Sequence, residues 1–282
     1  MERSIKRWWP VFVLPTAIAF AIGFLIPFLM GLYLSLCDFN TLTDAVFVGF
    51  GNYAKAFSDA SGEFVHALWY TALFAAVSTV IINVLGLSAA LALTRDFPGK
   101  DLFRTVFFMP NLIGGIVLGW LWQVLLGGVL ARFGKTLVTS EWYGFWGLML
   151  VVCWQQMGYM MIIYLSGLTT LPEDVLEAAS MDGASARQIF WHVKLPMLMP
   201  SVTVCTFLTL TNGFKLFDQN LALTNGMPGN RSQLLALNIY ATFYGRTGWA
   251  GAGQAKAVVF CLIVVSIALL QLKLTRSQEA HA

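Results

Sequence analysis

Few residues in this chain have the types and spacing that catalysis or metal binding requires. Only 11% of its 282 residues are charged, whereas 58% are hydrophobic. The histidines and cysteines lie far apart and show no paired or ligand-like spacing, which predicts neither a metal site nor disulfide bonds. These residues are His66, His192, His281, Cys37, Cys153, Cys205 and Cys261.

One segment, Gly134-Lys135-Thr136, is similar to the end of a phosphate-binding loop. That loop requires a glycine five residues before Gly134, and Val129 stands there. The sequence also contains no zinc-protease motif, nucleophile elbow or carboxylate pair. We therefore expect no catalysis, metal or cofactor on this chain. Its small net charge of +3, spread among the loops, predicts no nucleic-acid partner.

Polar side chains inside apolar stretches are the remaining candidates, because polar groups are costly within a bilayer. Amides, a hydroxyl and a tyrosine near mid-membrane suit the hydroxyls and ring faces of a sugar. The candidates are Gln155, Gln156 and Tyr159 in one apolar stretch, and Thr209, Asn212, Gly213 and Leu216 in the next. Helical spacing predicts that the last four share a face. Hydrogen bonding between helices is the alternative explanation for all the polar candidates.

Two further spacings predict specific contacts. Lys215 and Asp218 lie three residues apart, which predicts a structural ion pair or contacts with a sibling subunit. Gly115 and Gly119 have the spacing that permits close approach of another helix.

Six apolar stretches must position these residues. Each is long enough for a membrane-spanning helix, which needs roughly 20 residues. The predicted spans are 11–36, 66–93, 102–126, 143–168, 197–223 and 253–274, and Pro110-Asn111 interrupts the third. The predicted fold class is an all-α membrane protein with six transmembrane helices.

Loop charges predict the orientation of these spans, because the side richer in Lys and Arg faces the cytoplasm. The richer side carries Arg3, Lys6, Arg7, Arg95, Lys100, Arg104, Arg187, Lys194, Lys273 and Arg276. Both termini are therefore predicted to be cytoplasmic. The predicted divisions are a cytoplasmic N-terminus at 1–10, a membrane domain at 11–274 containing a cytoplasmic loop at 171–196, and a cytoplasmic tail at 275–282.

The loop at 171–196 has the signals of two short helices. Pro172 suits a first helical position, and Gly183 suits a left-handed helix end. Ser185 and Gln188 have capping-box spacing for a second helix, which Pro196 is expected to end. A solvated connector with ordinary caps is the alternative interpretation.

The residue pattern of this loop resembles the EAA loop of permease subunits of bacterial ABC importers. The matching residues are Glu177-Ala178-Ala179, Asp182-Gly183-Ala184, Phe190 and Leu195-Pro196. Other segments resemble that family's maltose-type carbohydrate permeases, namely Gly49 to Tyr53, Phe103 to Pro110, Phe217-Asp218, Thr224 to Pro228, and Ile239-Tyr240 with Phe243. The resemblance covers almost the whole chain. Met227 departs from it, where many relatives have glycine.

The resemblance implies a type I ABC importer permease fold in the bacterial cytoplasmic (inner) membrane. It implies that the loop couples this chain to two ABC ATPase subunits, on which ATP and Mg²⁺ bind. The coupling residues it implies are Glu177, Ala178, Ala179, Asp182, Gly183, Leu195 and Pro196. It further implies a second permease in a heterodimer, an extracytoplasmic solute-binding protein, and a sugar or oligosaccharide substrate bound on the fourth and fifth predicted spans.

An ion-coupled secondary transporter of a small polar solute is the alternative class. It would normally show repeat symmetry or a buried carboxylate, and Asp218 is the only acid within a predicted span. Glycerol phosphate or another polyol-type solute is the alternative substrate.

Overall fold

A computed structural model describes residues 2–41 and 43–279, and almost all of its elements are helices. The chain divides into two compact units. The first unit contains residues up to 64 together with 239–262, and the second contains 65–238 together with residues from 263 onward.

The first unit begins with helix α1 (Glu2–Phe20), which continues through a π-helical turn (Ala21–Leu25) into α2 (Ile26–Leu34). Strands β1 (Cys37–Asp38) and β2 (Val46–Phe47) pair antiparallel, with Cys37 opposite Phe47. Helix α3 (Gly51–Phe57) follows. Most of α13 (Leu235–Gly245) and the first part of α14 (Ala250–Glu279) also belong to this unit.

Asn52 joins α3 to the strand region of the first unit. Its buried amide Nδ2 donates hydrogen bonds to the carbonyl oxygens of Ser35 at 3.0 Å and Cys37 at 2.7 Å. The hydroxyls of Tyr53 and Ser35 share a hydrogen bond of 2.7 Å. Because buried carbonyls need partners, the motif from Gly49 to Tyr53 has a structural role.

The second unit contains the helices between these segments, of which α4 has its first two residues in the first unit. They are α4 (Glu63–Leu93), α5 (Lys100–Phe108), a 3₁₀ turn (Met109–Leu112), α6 (Gly115–Ala131), α7 (Glu141–Thr169), α8 (Glu173–Met181), α9 (Ala186–Ile189), a π-helical turn (Phe190–Lys194), α10 (Leu195–Met197), α11 (Met199–Lys215) and α12 (Asp218–Leu223). Helix α7 lies at the centre of the core, and its Phe145, Val152, Met160 and Tyr164 are fully buried.

Four helices in the described residues are long and apolar enough to cross a membrane: Val11–Leu34, Glu63–Leu93, Glu141–Thr169 and Ala250–Gln271. Two bent pairs are the other candidates. Lys100–Leu112 and Gly115–Ala131 meet at 102°, and Ala186–Met197 and Met199–Lys215 meet at 69°. The number of spans is six if each bent pair counts as one. The exact count, the cytoplasmic termini and the domain boundaries stay predictions.

The third apolar stretch is broken near the predicted interruption at Pro110-Asn111, whereas the fifth contains a break that was not predicted. Residues 102–126 belong to two helices nearly at right angles, because Pro110 cannot donate a backbone hydrogen bond and Ile113 is extended. Residues 197–223 contain a break after Lys215, because Leu216 is extended. The last residues of that stretch form the separate helix α12.

Gly115 and Gly119 lie where α6 packs against α12. A Cβ atom at Gly115 would lie 2.7 Å from the Cβ of Asp218, and one at Gly119 would lie 2.8 Å from the Cβ of Ala222. Both distances are too short for carbon atoms in contact. The predicted role of this spacing in close helix approach is therefore confirmed.

Candidate coupling loop and substrate path

The loop at 171–196 folds as helix, glycine turn and helix. Pro172 has an extended backbone and is the N-cap of α8, so it precedes the helix instead of beginning it. Glu173 and Asp174 occupy the first turn, where negative charge interacts favourably with the helix dipole.

Gly183 ends the first helix in a Schellman motif. Its φ of +81° lies in the left-handed region, which glycine adopts without steric cost. The N–H of Ala184 donates to the carbonyl of Ala179, and the N–H of Gly183 donates to that of Ser180, both at 3.1 Å. A Cβ at Gly183 would meet no atom within 4 Å. The requirement for glycine therefore comes from the backbone conformation and not from lack of space.

The predicted capping box of the second helix is present. The backbone N–H of Ser185 donates to Oε1 of Gln188 at 2.8 Å, and the N–H of Gln188 donates to Oγ of Ser185 at 3.4 Å. Both caps of the loop thus follow from local sequence chemistry.

The prediction that Pro196 ends this helix is wrong. The helical backbone continues through Pro196 to Met197, and the 69° bend occurs at Leu198. A π-helical turn at Phe190–Lys194 immediately precedes the Leu195-Pro196 pair. Such a turn shifts the hydrogen-bond ladder, which allows a proline that lacks an N–H to remain in the helix.

One side of α8 is exposed. Glu177 and Ala178 are exposed, and Met181, one helical turn after them, is 89% exposed. Asp182 is exposed at the helix end, whereas Ala179 is half-buried. Leu195 is half-buried and Pro196 is exposed. The exposed side of α8 thus presents a carboxylate, a small side chain and an apolar side chain, whereas Leu195 and Pro196 lie on α10.

Thr209 belongs to a hydrogen-bonded network that joins three helices of the second unit. The O–H of Tyr164 on α7 donates to Oδ1 of Asn83 on α4 at 2.6 Å. Nδ2 of Asn83 then donates to Oγ1 of Thr209 on α11 at 2.9 Å. Because Thr209 is 1% exposed, its hydroxyl holds helices together in this conformation.

Gln155 is also hydrogen-bonded through both its amide nitrogen and its amide oxygen inside the protein. Its Nε2 donates to the carbonyl oxygen of Ile113 at 3.0 Å, and its Oε1 accepts a hydrogen bond from Nε2 of Gln219 at 2.6 Å. Gln156 differs from its neighbour, because its Oε1 is buried and has no hydrogen-bond partner in the described part of the chain.

The other candidates fall into an exposed and a buried group. Asn212 is exposed and Tyr159 is 38% exposed. Leu216 is 6% exposed, and a Cβ at Gly213 would lie 3.0 Å from the Cα of Ala75 on α4. The structure therefore places Thr209, Gly213 and Leu216 against the core, while Asn212 points away from it. These four residues therefore do not form the common face that was predicted, because three are buried and one is exposed.

Lys215 and Asp218 are both exposed, and among the described residues they form no ion pair with each other. The predicted structural ion pair is wrong, because the helix breaks between the two residues and removes the helical spacing that would bring them together.

Similarity to known proteins extends over the loop at 171–196 and over helices α7 and α11. A family model described as the binding-protein-dependent transport system inner membrane component matches residues 82–278. The chain belongs to this family. The permease is thus an inner membrane component of an ABC transport system, as the resemblance implied.

Two curated relatives match this permease over nearly its whole length. A probable starch degradation products transport system permease of Thermoanaerobacterium thermosulfurigenes is 42% identical, covering 97% of this chain and 96% of that protein. A multiple sugar-binding transport system permease of Streptococcus mutans is 31% identical, with 97% of each chain covered.

The fold of the permease is also that of a solved transporter. A bacterial ABC transporter involved in the import of the acidic polysaccharide alginate matches with a TM-score of 0.82 and 18% identity, covering 98% of both chains. The predicted ABC permease fold is confirmed by this likeness.

Three structurally central residues of the permease were not predicted as site residues. They are Asn83, Tyr164 and Gln219, which take part in the hydrogen bonds described above. Each is a polar residue within an apolar stretch of the sequence, and that pattern is the signal that marks such residues. Their partners became evident only from the packing of the helices.

Proposed function

We propose that this permease forms half of the translocation pathway of an ATP-driven importer for a sugar or oligosaccharide. The observation that carries this proposal is near-full-length similarity to permeases named for starch degradation products and for multiple sugars. Family membership favours ATP-driven transport over an ion-coupled secondary transporter.

The coupling role rests on the geometry of α8. Its exposed face at Glu177, Ala178 and Met181 is thin enough to enter a cleft on an ATPase and carries a carboxylate for a basic partner. The Schellman turn at Gly183 fixes the direction of the next helix. Pro196 then leads into the bend before α11, so movement of α8 reaches the membrane helices.

The substrate path is proposed along α7 and α11. Asn212 and Tyr159 are accessible and offer an amide and a ring to a saccharide. The unpaired Oε1 of Gln156 is a further acceptor, which a change in helix packing would expose. Gln155, Thr209, Gly213 and Leu216 act indirectly by holding the helices that present these groups.

The complete importer is proposed to contain a second, different permease, two ATPase subunits that bind ATP and Mg²⁺, and an extracytoplasmic solute-binding protein. A solved relative of this fold is an alginate transporter in complex with a pentasaccharide-bound periplasmic protein. Glycerol phosphate or another polyol-type solute is the second candidate substrate.

Reconstitution tests this function directly. The chain is purified with its co-expressed partners, placed in proteoliposomes and supplied with radiolabelled malto-oligosaccharides or glycerol phosphate. We expect saccharide uptake that requires internal ATP and persists when ionophores collapse ion gradients. Uptake that follows an ion gradient without an associated ATPase contradicts the proposal, and uptake of glycerol phosphate alone contradicts the substrate class.

A further inference from the structure

A cavity of about 430 Å³ opens beside α8 in the second unit. Its walls come from the ends of α4 and α7, from α5, from α8 and from the π-helical turn before α10. Leucine side chains line part of it, including Leu93, Leu168 and Leu176. The cavity therefore has an apolar wall beside the coupling helix.

Three cationic side chains line the same cavity: Lys100, Arg104 and Lys194. Glu173 is the one acidic residue among its lining residues. Nε of Arg104 is buried and has no hydrogen-bond acceptor in the described residues. Lys194 forms no ion pair within the same described residues. Because a buried donor without an acceptor costs free energy, an anion in this cavity would be stabilised.

Two carboxylates compete for these cations from the solvent side. Asp96 lies 2.6 Å from Lys100, and Asp101 lies 3.4 Å from Arg104. Their side chains are 92% and 81% exposed, and exposed ion pairs contribute little to stability. Neither aspartate lines the cavity, so both cations can still bind an anion inside it.

Helix α5 indicates where this anion comes from. Leu102, Phe103 and Val106 are 67%, 50% and 49% exposed, whereas Lys100 and Arg104 are half-buried at the cavity. The pair of segments that contains α5 bends by 102° before α6. An amphipathic helix that turns sharply away from a spanning segment suits the membrane interface, with its apolar side chains in lipid.

We propose that the cavity binds the phosphate headgroup of an anionic phospholipid from the cytoplasmic leaflet. Arginine and lysine bind the phosphate oxygens, and the leucine wall contacts the glycerol and upper acyl region. A free phosphate would use the cations but not the leucines or the apolar side of α5. This placement rests on the proposed orientation of the permease, with the loop at 171–196 in the cytoplasm.

The bound lipid also contacts the coupling helix. Glu173 and Leu176 of α8 line the cavity together with the three cations. A bound lipid therefore contacts α8 at residues other than those of the exposed face that is proposed to meet the ATPase.

Native mass spectrometry of the permease with its partner subunits tests this site. The complex is released from nanodiscs that contain equal phosphatidylglycerol and phosphatidylcholine, and the retained lipid is identified. We expect selective retention of phosphatidylglycerol. Arg104→Gln with Lys194→Gln should lower its affinity roughly tenfold or more, the effect of one lost charge-assisted hydrogen bond. Arg104→Lys should retain most of the binding.

Arg187→Gln is the matched control, because Arg187 is an exposed cation of the same loop that does not line the cavity. Equal retention of the two lipids, or unchanged retention in the double variant, overturns the proposal. Binding of inorganic phosphate without phosphatidylglycerol also overturns it, in favour of a soluble anion. If the double variant does not assemble, Lys194→Gln alone should show an intermediate loss, and unchanged affinity in that variant is contrary to the proposal.

The lipid measurement is independent of the transported solute. A permease that imports something other than sugar would still show selective lipid binding. Lost lipid selectivity together with intact sugar uptake overturns this inference alone.

Discussion

Gln155 donates a hydrogen bond of 3.0 Å to the carbonyl oxygen of Ile113, at the bend between α5 and α6. The helical ladder is broken at this bend, so the carbonyl of Ile113 is bonded by a side chain from another helix. Gln219 completes the arrangement by donating to Gln155 at 2.6 Å. Gln155, a residue of the candidate substrate path, thus stabilises the bend that leads into α6.

Replacement of Gln155 should therefore lower the thermal stability of the permease and should not act through direct loss of substrate contact. Gln155→Leu leaves the carbonyl of Ile113 and the amide of Gln219 without their partner, at a cost of about 1–3 kcal/mol. We expect a lower Tm of the purified complex. Gln156→Leu is the control, because the Oε1 of Gln156 has no partner to lose in the described structure. An unchanged Tm with lost uptake in Gln155→Leu would instead assign Gln155 to direct substrate contact.

Gly183 should tolerate only residues that adopt a left-handed backbone. Gly183→Val places a β-branched side chain at φ +81°, where strain costs about 1–2 kcal/mol, although space is available. We expect ATP hydrolysis to be uncoupled from uptake in the assembled importer. Gly183→Asn is the matched control, because asparagine adopts this conformation more readily. Equal coupling in the two variants would remove the proposed role of the turn.

Gly158 should be essential for the packing of α7 against α5. A Cβ at this position would overlap the carbonyl oxygen of Phe107. Because backbone atoms must shift, Gly158→Ala should destabilise the permease by about 3 kcal/mol or more and reduce the yield of folded protein. Gly128→Ala on α6 is the control, because a Cβ there meets nothing within 4 Å. Comparable yields and melting temperatures for the two variants would contradict this prediction.

Arg246 should stabilise the first unit through two carboxylates. It contacts Asp59 at 2.9 Å and also Glu63. We expect Arg246→Gln to lower stability by about 2 kcal/mol, the scale of hydrogen bonds to charged groups. Arg132→Gln, at an exposed residue, should have little effect on the Tm. A Tm that falls equally in both variants would show that charge in general matters and not this contact.

The same contact predicts a pH dependence. Burial tends to raise the pKa of Asp59, but hydrogen bonds from Ser61 and Arg246 outweigh it and hold the pKa below the usual 3.8. A carboxylate with a lowered pKa contributes stability above 3.8, and this contribution disappears as the pH falls through the lowered value. In Asp59→Asn, the difference in Tm from the wild type should therefore shrink on acidification. A difference that grows as the pH falls would contradict this sign.

Asn212 and Tyr159 are the best candidates for direct contact with substrate. We expect Asn212→Ala with Tyr159→Phe to reduce saccharide uptake without changing the affinity of the separate binding protein or the Tm, because neither group packs in the core. Thr209→Val should instead lower the Tm, since it removes the acceptor of Asn83. Normal uptake in the first double variant would leave both residues with no transport role.

Local sequence signals predicted the helix ends of the loop at 171–196 closely. The left-handed glycine at 183 and the Ser185–Gln188 capping box are both present, because each depends on atoms within a few residues. The prediction failed at Pro196, where a π-helical turn upstream lets the helix continue. That adjustment depends on how the helix packs before α11.

The sequence alone determined the apolar stretches, the caps of the loop at 171–196 and the family resemblance, because hydropathy, caps and motif spacing are properties of contiguous residues. Tertiary structure decided which polar groups are available. Thr209 and Asn212 are alike as polar residues in one helix, yet one is bonded to Asn83 in the core and the other is exposed. A buried polar group takes its partner from whichever helix lies beside it, and that neighbour is set by packing over the whole unit.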